Sequence, residues 1–157
     1  IVPQALKWSP ESICPLVGHQ AGEKHLESLN KNYVEAGVEG ELVVFIEEMA
    51  VKYSECDLVI CRAGALTVAE ISSAGIASIL VPFPYAVDDH QTYNAKFLSS
   101  NDAAVLLPEN ELTPDSLANL LLELTRERLL GMAIKARELA KPNATRIVAE
   151  ECMDIIK

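Results

Sequence analysis

Two apolar patterns alternate along this chain. Short runs rich in Val, Ile and Leu are each followed by a longer stretch in which apolar residues recur with helical spacing. Continuous apolar runs of this kind are typical of strands buried on both faces of a parallel sheet. The runs predict strands at 13–19, 41–46, 57–61, 78–82 and 103–107. The stretches between them predict helices at 23–36, 47–55, 66–74 and 91–99.

The remainder of the chain predicts helices alone. Thr113 is suited to cap a helix, and Pro114 is suited to its first position. Pro142-Asn143 then interrupts the helical pattern, and a last helix is predicted over about 144–156. Strands that alternate with helices and then give way to helices predict an α/β fold. We expect a Rossmann-like, doubly wound parallel sheet of about five strands, followed by C-terminal helices.

Composition narrows the class of protein. The chain has 157 residues, of which 50% are apolar and 23% are charged. These values fit one soluble globular domain with a sizeable core. The 13 basic and 23 acidic residues leave a formal net charge of −10. Nucleic acids and anionic membranes both bind basic surfaces, so we expect no nucleic-acid partner and no direct membrane contact from this domain.

Cysteine and histidine spacing gives no support for a metal site. The four cysteines contain no C-x-x-C pair, and most lie in apolar runs, which indicates a reducing, cytoplasmic compartment. They are Cys14, Cys56, Cys61 and Cys152. The three histidines lack the spacing of metal ligands. They are His19, His25 and His90. The sequence also shows no facing carboxylate pair of the kind that a glycosidase needs.

The turn after the third predicted strand is the first candidate site. In doubly wound folds, ligands bind outside the carboxyl ends of the strands. Here a short, Gly-containing turn at 62–64 leads directly into a helix whose first free amides are near Ala65, Leu66 and Thr67. Free amides and the helix dipole together favour an anion such as a phosphate. Many strand-to-helix turns look similar, so an ordinary connection is the alternative.

Glu70 has two interpretations. The spacing Thr67-x-x-Glu70 matches a capping box, in which the glutamate side chain accepts a hydrogen bond from the N-cap amide. Alternatively, Glu70 accepts hydrogen bonds from a ribose diol beside the phosphates, as acidic residues do in nucleotide-binding folds.

The residues after the second predicted strand favour a slot for a planar base. Phe45 and Ile46 continue the apolar run, and Met49 follows in the next helix. The Ile46 backbone offers one donor and one acceptor, and Met49 is placed to pack on the base. The alternative is a strand end that only packs against the following helix.

The loop after the fourth predicted strand carries neutral polar side chains. Asp88 or Asp89 is a plausible N-cap, and if it is Asp88, Gln91 falls at the reciprocal capping position. Alternatively, His90, Gln91 and Asn94 lie at the mouth of a cleft and hydrogen-bond the hydroxyls of a neutral sugar.

Taken together, four segments resemble one known family. They are HQAG at 19–22, FIEEM at 45–49, CRAGALTVAE at 61–70 and DDHQTYNA at 88–95. Their order and spacing are similar to those of the C-terminal half of the MurG family, bacterial glycosyltransferases of the two-domain GT-B architecture. That family moves N-acetylglucosamine (GlcNAc) from UDP-GlcNAc to lipid I, undecaprenyl-pyrophosphoryl-MurNAc-pentapeptide, which yields lipid II for peptidoglycan.

The resemblance implies a role for each candidate residue. The Ile46 backbone would hydrogen-bond the uracil edge beside Phe45 and Met49, and Glu70 would bind the ribose. The diphosphate would be held by the amides of Ala65, Leu66 and Thr67. The sugar would be contacted by His90, Gln91 and Asn94. Further contacts are implied for His19, Gln20 and Arg62. His19 would orient the ligand or simply close its strand.

The resemblance also implies a mechanism and a place in the cell. Transfer would be inverting and independent of any metal or other cofactor, because the helix dipole would stabilise the departing UDP. No catalytic residue is expected in this chain, since the base would lie in the acceptor domain. The full-length protein would be peripheral on the cytoplasmic face of the inner membrane.

Residues 1–157 would then form a donor-binding fragment. The chain begins without a methionine, in what resembles the middle of a helix. The first strand, the family's G-G-S-x-G-A loop and the acceptor domain with its lipid I site would precede it. We therefore expect this piece alone to transfer no sugar and to bind UDP-sugar weakly if at all. The alternatives are a stand-alone donor subunit of a split dolichol-linked GlcNAc transferase, a non-catalytic nucleotide-binding domain and a UDP-sugar epimerase.

Overall fold

Short parallel strands alternate with helices in the computed structural model, which describes residues 1–8 and 15–155. The strands are β1 (Gly18–Gln20), β2 (Glu41–Val43), β3 (Leu58–Cys61), β4 (Ala77–Leu80) and β5 (Ala104–Leu106). The first helices are α1 (Val2–Lys7), α2 (Leu26–Ala36), α3 (Met49–Glu55) and α4 (Ala65–Ala74). The later helices are α5 (His90–Ser99), α6 (Pro114–Glu123), α7 (Arg126–Glu138) and α8 (Ala144–Ile155). The α/β class and the predicted order of elements are confirmed.

The strands form two parallel sheets. One sheet pairs β1 with β2, so that His19 lies opposite Leu42. The other has the order β3-β4-β5, with Ile79 opposite both Ile60 and Val105. Over the described residues, no strand pairing joins the two sheets. The predicted parallel arrangement is therefore confirmed, but its strands are divided between two sheets.

The core lies on both faces of the central strand β4, which is buried along its length. Ala77 and Ile79 pack on one face with Leu117 of α6. Leu80 packs on the other face with Ile71 of α4 and Leu98 of α5. Successive side chains of a strand point to opposite faces, so this double burial explains the unbroken apolar run. Helices on both faces are the doubly wound arrangement that the pattern predicts.

The predicted boundaries differ from the observed ones by a few residues. The run at 41–46 forms a strand only as far as Val43, and the following helix begins at Met49 rather than at residue 47. The first strand is Gly18–Gln20, and the part of its run at 13–14, including Cys14, lies outside the described residues. Apolar character therefore extends past the paired residues into the loops.

The helix start predicted at Thr113 is confirmed. Its side chain accepts a hydrogen bond from the Ser116 amide at 3.1 Å, and Pro114 occupies the first turn. Ser116 returns the contact, because its hydroxyl accepts from the Thr113 amide at 2.9 Å. The last predicted helix is also present as α8, in which no residue is buried. Within the described ranges, no helix is both long enough and apolar enough to cross a bilayer.

Ser78 gives the first testable prediction. It is fully buried in β4, and its hydroxyl has no hydrogen-bond partner among residues 1–8 and 15–155. A buried hydroxyl without a partner costs stability, so Ser78→Ala is expected to raise the free energy of unfolding by about 1 kcal/mol. Urea denaturation measures the change. Ser72→Ala is the matched control, because the buried Ser72 hydroxyl donates to the Ala69 carbonyl at 2.9 Å. An equal gain in both variants would contradict this explanation.

Candidate functional site

The turn between β3 and α4 presents free backbone amides. Gly64 is the N-cap of α4, with an extended backbone at φ −63° and ψ 146°. The first intrahelical hydrogen bond runs from the Val68 amide to the Gly64 carbonyl at 2.9 Å. The amides of Ala65, Leu66 and Thr67 therefore precede the helical ladder and need partners from outside it. Leu66 is 81% exposed, so this end of the helix is open.

Glu70 follows on the same helix and is not part of a capping box. The capping-box interpretation is wrong, because the helix begins at Ala65 and Thr67 is its third residue rather than its N-cap. The exposed carboxylate of Glu70 instead accepts a hydrogen bond from the hydroxyl of Tyr53, with an Oη to Oε2 distance of 3.3 Å. Tyr53 lies on α3, so this contact joins α3 to α4.

The predicted base slot lies where β2 leads into α3. Phe45 is 67% exposed, and Met49 is the first residue of α3. The Ile46 amide donates to Oε1 of Gln20 at 2.9 Å. Among the described residues, no hydrogen bond reaches the Ile46 carbonyl. The backbone acceptor is therefore available to a ligand, while the donor already has a protein partner that a ligand would have to replace.

Gln91 positions the loop that follows β4. Its Oε1 accepts a hydrogen bond from the Phe83 amide at 2.9 Å. The suggested reciprocal capping with Asp88 is wrong for this reason. The N-cap position of α5 is Asp89, whose carboxylate accepts from the Thr92 hydroxyl at 2.6 Å rather than from a backbone amide. Because its oxygen is held by the loop, Gln91 directs its two amide N–H donors elsewhere.

Asn94 and His90 also have backbone partners. Nδ2 of Asn94 donates to the Ala63 carbonyl at 3.0 Å, which ties α5 to the turn before α4. Nδ1 of His90 lies 2.7 Å from the Val87 carbonyl, and a carbonyl can only accept. The proton of a neutral His90 is therefore on Nδ1, which leaves Nε2 as an acceptor. Asn94 correspondingly keeps its side-chain oxygen as an acceptor.

Arg62 is engaged by the protein. Nη1 donates to the Pro82 carbonyl at 3.1 Å and forms an ion pair with Glu109. The guanidinium carbon also lies 5.5 Å from the centre of the Phe83 ring, a cation–π contact. Arg62 thus connects the ends of β3 and β4 with the loop after β5, and its predicted contact with a ligand stays a prediction.

His19, in β1, packs against Tyr33 of α2. Nδ1 lies 3.1 Å from the Tyr33 hydroxyl, and the two rings meet edge to face. Partial burial lowers the pKa of His19. The ring is therefore neutral at neutral pH. This contact ties β1 to α2, and the predicted role of His19 in orienting a ligand stays a prediction.

Cys61, at the end of β3, is the buried thiol beside the site. Burial raises the pKa of the Cys61 thiol to about 11, so this thiol is not a reactive thiolate at neutral pH. Within residues 1–8 and 15–155, no group of three or more His, Cys, Asp or Glu side chains could hold a metal ion.

Two features of the site were missed in the sequence. Tyr53 was not a candidate, although its position four residues after Met49 puts both on one face of α3. An open depression of about 490 Å³ beside the loop after β4 was also not anticipated; Tyr85, Thr92 and Glu109 are among its lining residues. None of the predicted site residues lines this depression. It depends on contacts between the loops after β4 and β5, which no local pattern encodes.

Known proteins resemble this chain along nearly its whole length. A family model described as the glycosyltransferase family 28 C-terminal domain matches residues 1–151. A relative from Nitrosospira multiformis is 65% identical over 156 residues, which are 99% of this chain and 44% of the relative. A relative from Nitrosomonas eutropha is 57% identical over 157 residues, which are 100% of this chain and 44% of the relative. Both are named UDP-N-acetylglucosamine–N-acetylmuramyl-(pentapeptide) pyrophosphoryl-undecaprenol N-acetylglucosamine transferase.

A solved structure shows the same fold. The crystal structure of Acinetobacter baumannii MurG superposes with a TM-score of 0.91 at 44% identity, covering 98% of this chain and 46% of that one. This likeness confirms the predicted Rossmann-like fold of a GT-B C-terminal half and the resemblance to the MurG family. The chain spans less than half the length of each of these proteins.

Proposed function

Because this chain belongs to the glycosyltransferase family 28 C-terminal domains, we propose that it binds UDP-GlcNAc as the donor half of a transferase. The acceptor would be lipid I, and the product would be lipid II for peptidoglycan synthesis. The names of its relatives and its 65% identity to one of them support this proposal. The single observation that carries it is the set of free amides that opens α4.

The diphosphate would bind at those amides. The N–H groups of Ala65, Leu66 and Thr67 lie at the positive end of a ten-residue helix. They supply positive potential without a cationic side chain, which suits a chain whose net charge is −10. As the bond to the sugar breaks, negative charge grows on the departing UDP, and oriented amides stabilise that charge. We therefore propose inverting transfer without a metal cofactor.

The nucleoside would extend from the diphosphate across α4 and α3. Glu70 has an exposed carboxylate that can accept hydrogen bonds from both ribose hydroxyls. The hydrogen bond from Tyr53 to Glu70 places α3, which begins at Met49, beside this carboxylate. The base would then lie between Phe45 and Met49 and hydrogen-bond the Ile46 backbone, where its carbonyl would take the place of the Gln20 oxygen.

The sugar would meet neutral groups of fixed orientation. Gln91 presents donors because its oxygen is held by the Phe83 amide. Asn94 presents its oxygen because one of its N–H groups is held by the Ala63 carbonyl. One donor and one acceptor suit the hydroxyls of a sugar, each of which can both donate and accept. His90 would add a second acceptor through Nε2.

We propose that residues 1–157 form one donor-binding domain whose partner is an acceptor domain with the lipid I site and the catalytic base. The division of the strands into two sheets supports a further strand between them, because unpaired parallel edges leave backbone groups without partners. With its acceptor domain, the protein would work in the cytoplasm at the inner face of the inner membrane.

Glu70 provides the test of the nucleoside site. Glu70→Ala is expected to weaken UDP binding about 10-fold or more, because hydrogen bonds to a charged acceptor contribute roughly 1.5–3 kcal/mol. Pyrophosphate binding should change less than about twofold, since the amides that hold it are intact. Calorimetric or NMR-monitored titration of the two ligands separates these effects.

ADP is the control ligand for base recognition. The wild-type chain should bind UDP more tightly than ADP, because the two-ring adenine is larger than uracil and would meet Phe45, Met49 and the Ile46 backbone in a different position. Equal affinity for UDP and ADP would contradict the uracil assignment and favour a general nucleotide-binding domain. A parallel loss of UDP and pyrophosphate binding in Glu70→Ala would mean that Glu70 acts on the fold of α4.

A further inference from the structure

Tyr53 makes a polar contact that none of the predicted roles uses. It lies on α3, is half-buried against α4, and donates its hydroxyl hydrogen to Oε2 of Glu70. Helix α3 has no buried residue of its own, so little core packing fixes its position. The Tyr53–Glu70 hydrogen bond is a directional link between this helix and α4.

The phenol is a permanent donor. Burial, followed by the negative charge of Glu70 and the hydrogen bond to it, raises the pKa of Tyr53 to about 12. The hydroxyl therefore keeps its proton throughout the physiological pH range, and a carboxylate is the partner that it favours. Tyr53 can therefore hold the Glu70 carboxylate in place as a hydrogen-bond donor.

Glu70 needs such a restraint. Its carboxylate is exposed, and the Tyr53 hydroxyl is its hydrogen-bond partner within the described residues. A free glutamate samples several rotamers, and fixing them during ligand binding costs conformational entropy. A hydrogen bond at Oε2 orients the carboxylate beforehand and leaves Oε1, together with the second lone pair of Oε2, for a ligand.

We propose that Tyr53 is a positioning residue that orients the Glu70 carboxylate for a ribose diol and so couples the base-binding helix α3 to α4. This inference rests on the proposed function, because it assumes a nucleoside at Glu70. It adds a residue that contacts no substrate and acts through Glu70 alone. Its effect must therefore depend on the ribose hydroxyls of the ligand.

The test compares UDP with 2′,3′-dideoxy-UDP. NMR-monitored titration, which measures weak binding, gives the dissociation constant of each ligand for the wild-type chain, Tyr53→Phe, Glu70→Gln and the double variant. Tyr53→Phe is expected to raise the dissociation constant of UDP about three- to tenfold. It should change the dissociation constant of dideoxy-UDP less than about twofold. In the Glu70→Gln background, the effect of Tyr53→Phe on UDP should fall below about twofold.

Tyr93→Phe is the matched control, since Tyr93 is an exposed tyrosine of α5 whose ring lies beside Lys96. Tyr93→Phe should change the dissociation constant of neither ligand. Equal weakening of UDP and dideoxy-UDP by Tyr53→Phe would show that Tyr53 only supports the fold, and no weakening would show that it has no role. Either result overturns the proposal while the nucleoside site stands.

The wild-type chain distinguishes this inference from the proposed function itself. If it binds UDP more tightly than dideoxy-UDP, the ribose site is real and the Tyr53 variants decide the inference alone. If it binds both equally, the ribose assignment of Glu70 fails, and the role of Tyr53 fails with it.

Discussion

Joined behind the N-terminal part of the Nitrosospira multiformis relative, this chain is expected to transfer GlcNAc from UDP-GlcNAc to a lipid I analogue, whereas the chain alone should transfer none. The chain corresponds to 44% of that relative and is 65% identical to it over the shared region. Under the proposed function, the chain alone holds a donor but neither an acceptor nor a base. Placing both substrates in one cleft accounts for a rate difference of at least about 1,000-fold.

A radiolabelled transfer assay measures this difference, and the chimera that carries Glu70→Ala is its control. That variant should lose activity through weaker binding of the donor. Transfer by the chain alone would contradict the division of labour between two domains. A chimera that folds and binds UDP but transfers nothing would show that the donor role assigned by similarity to the relatives does not extend to this chain.

The apolar pattern of the sequence was sufficient to predict the strands and helices and their order. Strands such as β4 are buried on both faces, so their apolar runs stand out against the helical spacing that follows them. Strand ends were harder to place, because residues such as Val81 remain buried after the strand has ended. The division into two sheets depends on pairing between distant segments, which no single run encodes.

The candidate site was predictable where it depends on local chemistry. Free amides at the start of α4 follow directly from a small turn before a helix. The capping box at Thr67 was wrong because the same local rule applies to any matching spacing, and the helix begins two residues earlier. Contacts between segments that are far apart in the sequence could not be predicted from it. Gln20 and Ile46 are 26 residues apart, and Ala63 and Asn94 are 31 residues apart.

The largest effect on binding is expected from Ala65→Pro. Ala65 is the first residue of α4, and the preceding Gly64 has the extended backbone that a following proline requires. Proline is favoured at this position, where its missing N–H breaks no helical hydrogen bond. The variant should therefore fold with unchanged or slightly higher stability. It removes one of the amides proposed to hold the diphosphate and places ring carbons in its position.

Arg126→Pro is the matched control. Arg126 is the first residue of α7, and the preceding Thr125 is likewise extended, with φ −61° and ψ 158°. It introduces the same residue at the same helical position, but on a helix that carries none of the proposed site residues. The Arg126 side chain is 87% exposed, and its ion pair with Asp57 is a surface contact. Loss of this ion pair should change the free energy of unfolding by less than about 1 kcal/mol.

The dissociation constant of UDP for the wild-type chain, Ala65→Pro and Arg126→Pro is the most direct test of whether the diphosphate binds at the start of α4. Loss of a hydrogen bond to a charged phosphate predicts an increase of about 10- to 100-fold for Ala65→Pro. Arg126→Pro should match the wild type. If Ala65→Pro remains folded and binds UDP as tightly as the wild type does, the nucleotide binds elsewhere and the proposed donor site is wrong.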